Sequence, residues 1–546
     1  MRIFIYLFPL FCCSLSLSWA LQETLPSHFS EQVYVHMSKS IAVSGETVPF
    51  SVDIRQEGKA TFSKMAYADL INRKGKRVTG TIIPLESGKA DAYMKIPVEI
   101  PSDHYLLRVY SRLASSMGDE NNYHHSLITV INPEIPAQSS QSGGEVWKEN
   151  IAKNSIKLNL SKETLGQDEG AELTITASFG QELSISVSKK NPYLPAIKAI
   201  IPDTEILSSK NTELIPELRG HIIKGVVSGA QIDTTQVYFL SAHGEKSDLF
   251  LGKPDESGQV FFELGALKGY DFLLLQTGQD TLPFDMSLQH PFAGAPSEEV
   301  LKFPALKFTM MDKGALNDLV LSHAATAYYL APKQRAIKPI ITGFDADVAY
   351  NLDEYNRFND LGTTLKEYVP SVMVRKNEGK YHFKLSNYPE DKMFKNNPLM
   401  LIDGMPVFDS DALGRHSTDS IEKIEVVNRK FYILDNVFDG LINIQSYHNN
   451  FGGFPIPKGV LYIEYPKIQS PLNWKFNTPL SEEEGSIPDF RTILYWEDNV
   501  KVQEDGKVKI KFSTSHIPGV YEVKVSSISP NGIQSWSILD FRVVAE

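Results

Sequence analysis

The stretch PLMLIDGMPVFDSDAL, residues 398–413, predicts a strand, a tight turn and a second strand. The apolar run 399–402 ends at Asp403-Gly404, and the next run ends at Pro406-Val407. Asp-Gly is a typical turn pair, because glycine adopts positive φ readily and the aspartate carboxylate accepts bonds from backbone N–H groups. We therefore expect a mainly structural role for Asp403, and we keep it as a candidate partner contact.

The segments around this element mix helix and strand signals. TLKEYVPSVMVRKNEGKYHFKL (364–385) begins with a helix end and continues as two strands. STDSIEKIEVVN (417–428) begins with a helix cap and ends in a strand, and GLINIQSY (440–447) is another strand. Residues 364–466 are therefore predicted to form one α+β domain.

The flanking sequence predicts β-sandwiches. In residues 31–132, apolar residues alternate at Val48, Phe50, Val52 and Ile54, which is typical of a half-buried antiparallel strand. The motif order of VYVHMSKSIAVSGETVPFSV recurs in IKLNLSKETLGQDEGAELTI, which starts a second unit at residues 156–215. The repeat predicts two related sandwiches in tandem.

The remaining boundaries follow from composition and turn signals. The predicted segments are a Pro/Ser/Gly-rich linker at 133–155, a third β-sandwich at 216–295, a helical bridge at 296–363 and a final β-sandwich at 467–546. The fold class is therefore mainly β, with tandem β-sandwiches and an inserted α+β domain.

The first 20 residues read as a secretory signal peptide, with Arg2, an apolar stretch and small residues ending at Ala20. An uncleaved anchor and a lipoprotein signal at Cys12 or Cys13 are alternatives, although Phe11 is larger than lipoprotein signals prefer. Cleavage would leave a chain without cysteine, which excludes disulfides and thiol nucleophiles. No later stretch reaches about eighteen uninterrupted apolar residues, so no transmembrane helix is expected.

Charge and motifs narrow the function classes. The formal net charge of −12 argues against nucleic acid, because phosphate binding needs a positive face. The sequence contains neither His-Glu-x-x-His nor Gly-x-Ser-x-Gly, so we expect no enzyme and no cofactor. His124 and His125 follow Tyr123 beside a strand, and we expect exposed polar side chains there.

Two clusters remain as candidate sites. Asp345, Asp347 and Asp353 supply oxygen ligands that could hold Ca²⁺, although the EF-hand spacing is absent and a solvated face is the favoured interpretation. The Gly/Pro-rich loop NNFGGFPIPKG (449–459) carries Phe451, Phe454 and Ile456 and cannot easily bury all three. These three residues are candidate partner contacts. For the other aromatic residues nearby, namely Phe431, Tyr432, Phe438 and Tyr447, we expect burial in the core.

Residues 31–132 resemble the macroglobulin domains of the α2-macroglobulin superfamily through Val33-Tyr34-Val35, Lys39, Gly45-Glu46 and Tyr105-Leu106-Leu107-Arg108. The pattern departs from that family at Ser40 to Val43. A macroglobulin thioester would require a cysteine, which the cleaved chain would lack. Residues 216–295 resemble carboxypeptidase-regulatory-like sandwiches through DESGQVFFEL (255–264).

Residues 364–466 resemble the plug domain of TonB-dependent receptors. Three blocks in the same order carry the resemblance, at 401–407, 421–426 and 439–444. Such receptors enclose the plug in a barrel of about 22 strands, with about ten residues in each strand. The residues after Asp411 are too few for such a barrel, so we expect a plug-like domain without a pore.

The whole chain resembles an envelope architecture of the Bacteroidota, with Pro488-Asp489-Phe490-Arg491, Tyr495-Trp496 and Gly519-Val520-Tyr521 matching in the last sandwich. The resemblance implies an exported protein of the periplasm or outer membrane. The favoured interpretation is a non-enzymatic scaffold that binds outer-membrane or periplasmic proteins. The alternatives are a glycan- or peptide-binding accessory of TonB-dependent nutrient import and, third, a hydrolase.

Overall fold

A computed structural model describes most of the chain as four units, which we name A to D. The described residues are 30–116, 123–137, 156–194, 214–228, 231–278, 286–294, 303–329, 340–341, 343–470, 489–529 and 532–545. The predicted signal peptide at 1–20 and most of the predicted linker at 133–155 lie outside these ranges. Within the described ranges, no helix has both the length and the apolar character needed to cross a bilayer.

Unit A is a β-sandwich. Its elements are β1 (Glu31–Met37), β2 (Ile41–Val43), β3 (Thr47–Gln56), β4 (Lys59–Ala60), β5 (Met65–Ile71), β6 (Arg77–Pro84), β7 (Lys89–Lys95), β8 (Asp103–Tyr110), α1 (Arg112–Ser116) and β9 (His124–Ile131). One sheet pairs β1, β4 and β7 with β3, and the other has the order β2-β9-β8-β5-β6. The alternating apolar side chains of β3 are buried in the core between the sheets, as predicted.

The chain then begins unit B and leaves it unfinished. The first strands of this unit are β10 (Lys157–Leu160), β11 (Thr164–Leu165), β12 (Gly170–Thr176) and β13 (Glu182–Lys189). Strand β10 pairs with β12, but neither β11 nor β13 pairs with another strand of this segment. Their partners come from the end of the chain.

Unit C follows in the chain and is also a β-sandwich. Its first strands are β14 (His221–Val227), β15 (Tyr238–Gly244), β16 (Lys246–Gly252), β17 (Gln259–Gly265), β18 (Tyr270–Thr277) and β19 (Met286–Leu288). Helix α2 (Lys313–Tyr329) comes next and packs Leu316 and Leu319 against unit A. The short strand β20 (Ile340–Ile341) then pairs in parallel with β16.

Unit D is an α+β unit inserted into unit C. Its elements are β21 (Val348–Asn351), α3 (Leu361–Tyr368), β22 (Val372–Asn377), β23 (Lys380–Asn387), β24 (Lys392–Met393), β25 (Leu399–Ile402), β26 (Met405–Pro406), α4 (Ser410–Arg415), β27 (Ile421–Val427), β28 (Phe431–Ile433), β29 (Asn436–Phe438) and β30 (Leu441–Ser446). The main sheet has the order β21-β27-β30-β25-β26. The stretch at 398–413 forms β25, a turn, β26 and α4, which confirms the predicted strand–turn–strand.

The end of the chain completes both unfinished units. Strand β31 (Leu461–Ile463) pairs with β18 and closes unit C. The last strands are β32 (Ile493–Lys501), β33 (Lys507–Ser513), β34 (Gly519–Ile528) and β35 (Gln534–Val543). They complete unit B in the sheets β10-β12-β33 and β11-β35-β34-β13-β32.

Units A and B share one strand order. In unit A the sheets run β1-β3-β7 and β2-β9-β8-β5-β6, and each strand has a counterpart at the same place in unit B. In each unit a short second strand pairs in parallel with the last strand, β2 with β9 and β11 with β35. Unit B is therefore the same sandwich as unit A, interrupted between β13 and β32 by units C and D.

This nesting corrects three predicted boundaries. The segments 156–215 and 467–546 are not two sandwiches, because β12 and β13 pair with β33, β32 and β34. The predicted bridge 296–363 ends inside unit D, where β21 pairs with β27. The predicted domain 364–466 returns to unit C at β31. Local alternation predicts a strand but not the distant strand with which it pairs.

Candidate functional site

Asp403 is buried in unit D, at the turn between β25 and β26. Its carboxylate accepts hydrogen bonds from the backbone N–H of Ser446 (2.7 Å), the Ser446 hydroxyl (2.6 Å) and the backbone N–H of Phe451 (2.7 Å). Burial raises the pKa of Asp403, although these three bonds oppose the rise. The carboxylate therefore binds the end of β30 and the loop after it, which lie 43 to 48 residues beyond Asp403 in the chain. It does not bind the N–H groups of its own turn. Asp403 is thus a structural residue without access to a partner.

The loop after β30 buries two of its three candidate contacts. The Phe451 ring lies 5.0 Å from the His243 ring of unit C, and the Phe454 ring lies 5.4 Å from the His416 ring. Only Ile456 is exposed, at 41%. The expectation that this loop leaves Phe451 and Phe454 exposed is therefore wrong, because His243 of unit C covers Phe451 and His416 of unit D covers Phe454.

Replacing Asp403 with alanine is expected to lower the free energy of unfolding of unit D by about 2–4 kcal/mol. The change leaves two buried backbone N–H groups, those of Ser446 and Phe451, without an acceptor. Urea unfolding of the full chain measures the loss. The control is Asp409→Ala, which removes only the cap of α4 and should cost about 1 kcal/mol. Equal losses in the two variants would contradict the role assigned to Asp403.

Polar and aromatic contacts attach unit D to unit C. The Asn449 side-chain amide donates to the carbonyl oxygen of Gly244 (2.7 Å) and to the Ser247 hydroxyl (2.9 Å). The Phe239 ring of unit C lies 5.2 Å from the Phe408 ring of unit D. These contacts surround the apolar cluster that both units share.

A buried ionisable cluster joins unit A to unit C. The Glu217 carboxylate accepts bonds from the Tyr67 hydroxyl (2.6 Å) and from His221 Nδ1 (2.8 Å), and it lies 2.9 Å from the Arg112 guanidinium. Burial alone would raise the pKa of Glu217, but the His221 bond and the Arg112 charge outweigh burial and lower this pKa. Burial lowers the pKa of His221 by more than Glu217 raises it. All four side chains are buried, so the cluster connects the units rather than facing solvent.

A second buried ion pair lies in unit A beside the same boundary and also contacts unit C. The Arg108 guanidinium lies 2.8 Å from the Asp69 carboxylate and donates to the carbonyl oxygen of Gly294 (2.8 Å). The backbone N–H of Ala293 donates to the Tyr110 hydroxyl (2.6 Å). The segment after β19 is therefore fixed to unit A.

His36 lies between units A and B. Its Nε2 lies 2.9 Å from the Ser186 hydroxyl, its Nδ1 lies 3.2 Å from the Ser526 hydroxyl, and its ring makes edge contacts with Trp496 and Trp536. Burial lowers the pKa of His36 to about 3. The side chain is therefore a neutral part of the boundary near pH 7.

A polar cleft lies beside His36, between units A and B. It offers about 30 Å³ of space to water, which holds two or three molecules. Lys89 of unit A bonds Glu182 and Asn499 of unit B across it, and burial raises the pKa of Asp498 in its wall to about 6. The Ser527 hydroxyl also lines the cleft and has no partner in the structure.

The sequence-predicted aspartates are not brought together around one ion. Asp347 lies 2.9 Å from Arg429, and Asp353 lies 2.6 Å from Arg357. No group of three or more metal-ligating side chains occurs in the part of the chain that the structure describes. These ion pairs match the favoured interpretation of a solvated face.

The expected exposure of His124 and His125 is wrong. Both side chains are buried in β9, which lies inside the sheet between β2 and β8. His124 pairs with Val109 and lies on the face that forms the sandwich core. His125 lies on the opposite face with Leu127 and Ile131, which Phe303 and Leu319 of α2 cover, and local sequence does not predict this cover. Burial lowers the pKa of His124 to about 4 and that of His125 to about 3.

An exposed apolar surface lies on the hairpin β28–β29 of unit D. Tyr432, Leu434 and Val437 are 60%, 73% and 53% exposed, and we name them the tip patch. Tyr432 pairs directly with Val437 across the hairpin, so both side chains share the outer face. The inner face packs Phe431 and Phe438 into the cluster shared with unit C.

The sequence pattern does not predict the tip patch. The expectation that Tyr432 is buried with the other aromatic residues is wrong, whereas Phe431 is buried. The signal in the sequence is FYILDNVF (431–438), two apolar strands joined by Leu-Asp where a tight turn usually has glycine or asparagine.

Comparisons with known proteins give only distant similarities. No protein-family model matches the chain, and no curated protein sequence matches it. Among solved structures, it is similar to α2-macroglobulins of Escherichia coli and of Salmonella, each with 10% identity over 95% of this chain and 40% of the other, at a TM-score of 0.23. It is also similar to dimeric latent PorU of Porphyromonas gingivalis, with 9% identity over 95% of this chain and 34% of the other, at a TM-score of 0.15.

At these values the similarities do not assign the chain to a family. The chain spans about two fifths of the length of the macroglobulins that it matches. The fold class is therefore assigned from the strand pairings of the structure. The chain is a mainly β protein of nested β-sandwiches with one α+β insertion.

Proposed function

We propose that the chain is an exported, non-enzymatic scaffold of the cell envelope that binds another protein through unit D. The observation that carries the proposal is the tip patch, an apolar surface on the outer side of unit D. Contiguous exposed apolar side chains on soluble domains commonly mark protein-binding sites.

The boundaries between units support a scaffold role. Buried polar contacts join A to B, A to C and C to D, so unit D is attached to a frame of packed sandwiches. A rigid frame lowers the entropy lost on binding, because the surface is already ordered. Glu217, His221 and Arg112 are all buried at the A–C boundary.

The finer proposal is that unit D is a plug-like module without a barrel, in a Bacteroidota envelope protein. Its support is the order of the three sequence blocks and the predicted signal peptide. The blocks at 401–407, 421–426 and 439–444 fall on β25–β26, β27 and β30, which belong to one sheet. The proposed partners are outer-membrane or periplasmic proteins.

The alternative proposal, a glycan- or peptide-binding accessory of TonB-dependent import, has the A–B cleft as its best support. The cleft is polar and contains the unpartnered Ser527 hydroxyl. Its space for two or three water molecules is much smaller than typical ligand pockets, which are several hundred Å³. The scaffold proposal is therefore preferred.

Affinity purification from native membranes tests the scaffold proposal. The full chain carries a tag, outer membranes are solubilised in detergent, and co-purifying proteins are identified by mass spectrometry. We expect the same one or few envelope proteins in near-stoichiometric amount, and no reproducible binding on a glycan array. The absence of any co-purifying protein, or a specific glycan hit, would contradict the proposal.

A further inference from the structure

The tip patch contains a residue in an unfavourable backbone conformation. In the described part of the chain, ten non-glycine residues have positive φ, and eight of them are polar. The two apolar ones are Leu434 (φ 54°) and Phe451 (φ 63°). Left-handed backbone costs an ordinary L-residue about 1–2 kcal/mol, so each needs a compensating interaction.

Four other two-residue hairpin turns in the described part of the chain have glycine at their second position. These turns place a polar residue and then glycine at positive φ, namely Glu57-Gly58, Ser87-Gly88, Glu378-Gly379 and Asp403-Gly404. The turn between β28 and β29 has the same length but uses Leu434-Asp435. Glycine adopts positive φ without strain, and aspartate and asparagine tolerate it better than leucine does. The tip of this hairpin therefore departs from the turn chemistry used elsewhere in the chain.

Compensation is visible for Phe451 but not for Leu434. The Phe451 ring is buried against His243 of unit C. The Leu434 side chain is 73% exposed, so burial within the chain does not offset its conformation. A residue with an unfavourable backbone conformation that no contact within the chain offsets is typical of a functional position.

We propose that Leu434, flanked by Tyr432 and Val437, inserts into an apolar groove of a folded protein partner. This inference rests on the proposed scaffold function and assigns its binding surface. The inner side of the hairpin is continuous with the packed C–D boundary through Phe431 and Phe438, so the tip has rigid support. An apolar anchor in a pocket, supported from behind, is the usual arrangement of a binding hot spot.

The charges around the patch favour a protein over a lipid surface. Next to Leu434, the Asp435 carboxylate is 74% exposed and lies 2.9 Å from Lys253. Arg429 pairs with Asp347 near the base of the hairpin. A rim that carries both signs is typical of protein interfaces, whereas anionic headgroups attract clusters of basic residues.

A second copy of the chain is the less suitable occupant. Three side chains expose a few hundred Å² at most, whereas a stable interface buries roughly 800 Å² on each partner. Contact between two tip patches would fall short of that area. A groove that surrounds the hairpin tip would cover more of it.

Site-specific photo-crosslinking in cells tests the proposal. The photoreactive residue p-benzoylphenylalanine replaces Leu434 in the full chain, and in a matched control it replaces Phe179, which is 67% exposed on a turn of unit B. We expect one defined protein adduct from position 434 and none from position 179. The adduct is identified, and the purified partner is titrated with the wild-type chain, Leu434→Asn and Phe179→Ser.

Asparagine tolerates the turn conformation, so Leu434→Asn removes the apolar side chain and keeps the hairpin. We expect it to weaken binding of the identified partner by at least about tenfold, as for a hot-spot residue, while Phe179→Ser leaves binding unchanged. Unchanged binding by Leu434→Asn would overturn the proposal. So would an adduct of twice the chain mass, which indicates a second copy. Binding to phosphatidylethanolamine–phosphatidylglycerol vesicles that Leu434→Asn loses and Phe179→Ser keeps would indicate a lipid surface and would also overturn it.

A stability measurement separates a binding role from a structural one. Leu434→Gly relieves the backbone conformation, so the melting temperature is expected to rise by about 1–3 °C while partner binding falls. A lower melting temperature would assign Leu434 a structural role and overturn the proposal. If a partner co-purifies equally with Leu434→Asn, the scaffold function stands and this surface is wrong. If no partner co-purifies with the wild-type chain, both proposals fail.

Discussion

Lowering the pH from 7 to 5 is expected to destabilise the folded chain by about 2 kcal/mol for each buried neutral histidine. Burial lowers the pKa of five histidines to about 3 or about 4: His36, His104, His124, His125 and His243. In the unfolded chain each would titrate near 6.5. Below that pH the unfolded state binds protons that the folded state does not, so stability falls with pH.

Carboxyl groups with a raised pKa act in the opposite direction. Burial raises the pKa of Asp498 to about 6 and also raises those of Asp403 and Asp91. These groups take up protons in the folded state first, so they favour folding as the pH falls. Five histidines outweigh three carboxyl groups in the range from pH 6.5 to pH 4.

Urea unfolding at pH 7, 6 and 5 measures this dependence. Acid unfolding within this range is the expected outcome. The histidines alone sum to about 10 kcal/mol, and the loss that is left after the opposing carboxyl groups is still comparable to the stability of a typical domain. His125→Asn should flatten the pH dependence, and His448→Gln, at an exposed position, should leave it unchanged. Equal stability at pH 7 and pH 5 would mean that these histidines are charged in the folded state.

Local sequence patterns predicted the strands of this protein much better than their partners. The alternation in β3 depends on neighbours a few residues away, and it was predicted correctly. The pairing of β12 with β33 spans more than 300 residues, and nothing in either segment specifies it. Tandem similarity between units A and B was visible in sequence because the first three strands of unit B are uninterrupted.

The candidate site shows the same limit. Burial of Phe451 depends on unit C, and burial of His125 depends on a segment that covers the outer face of β9, so local sequence predicted neither. Leu434 was detectable in principle, because Leu-Asp is an unusual pair for a two-residue turn. Its exposure became evident only from the hairpin register.

Replacing Arg112 with methionine is expected to lower the free energy of unfolding by about 3–5 kcal/mol. Methionine preserves much of the packing but leaves the Glu217 carboxylate buried without its cation. The change also removes the hydrogen bond from the guanidinium to the carbonyl oxygen of Ile222 (2.8 Å). Because these contacts join unit A to unit C, proteolysis at the A–C boundary should increase as well.

Two further variants separate the ion pair from general packing. Arg415→Met removes an exposed partner of Asp411 and should cost less than about 0.5 kcal/mol. The double variant Arg112→Met/Glu217→Gln removes both buried charges, so it should regain a large part of the loss. If the double variant were less stable by the full sum of the single losses, Arg112 and Glu217 would act independently. The A–C boundary would then depend on apolar packing rather than on the buried ion pair.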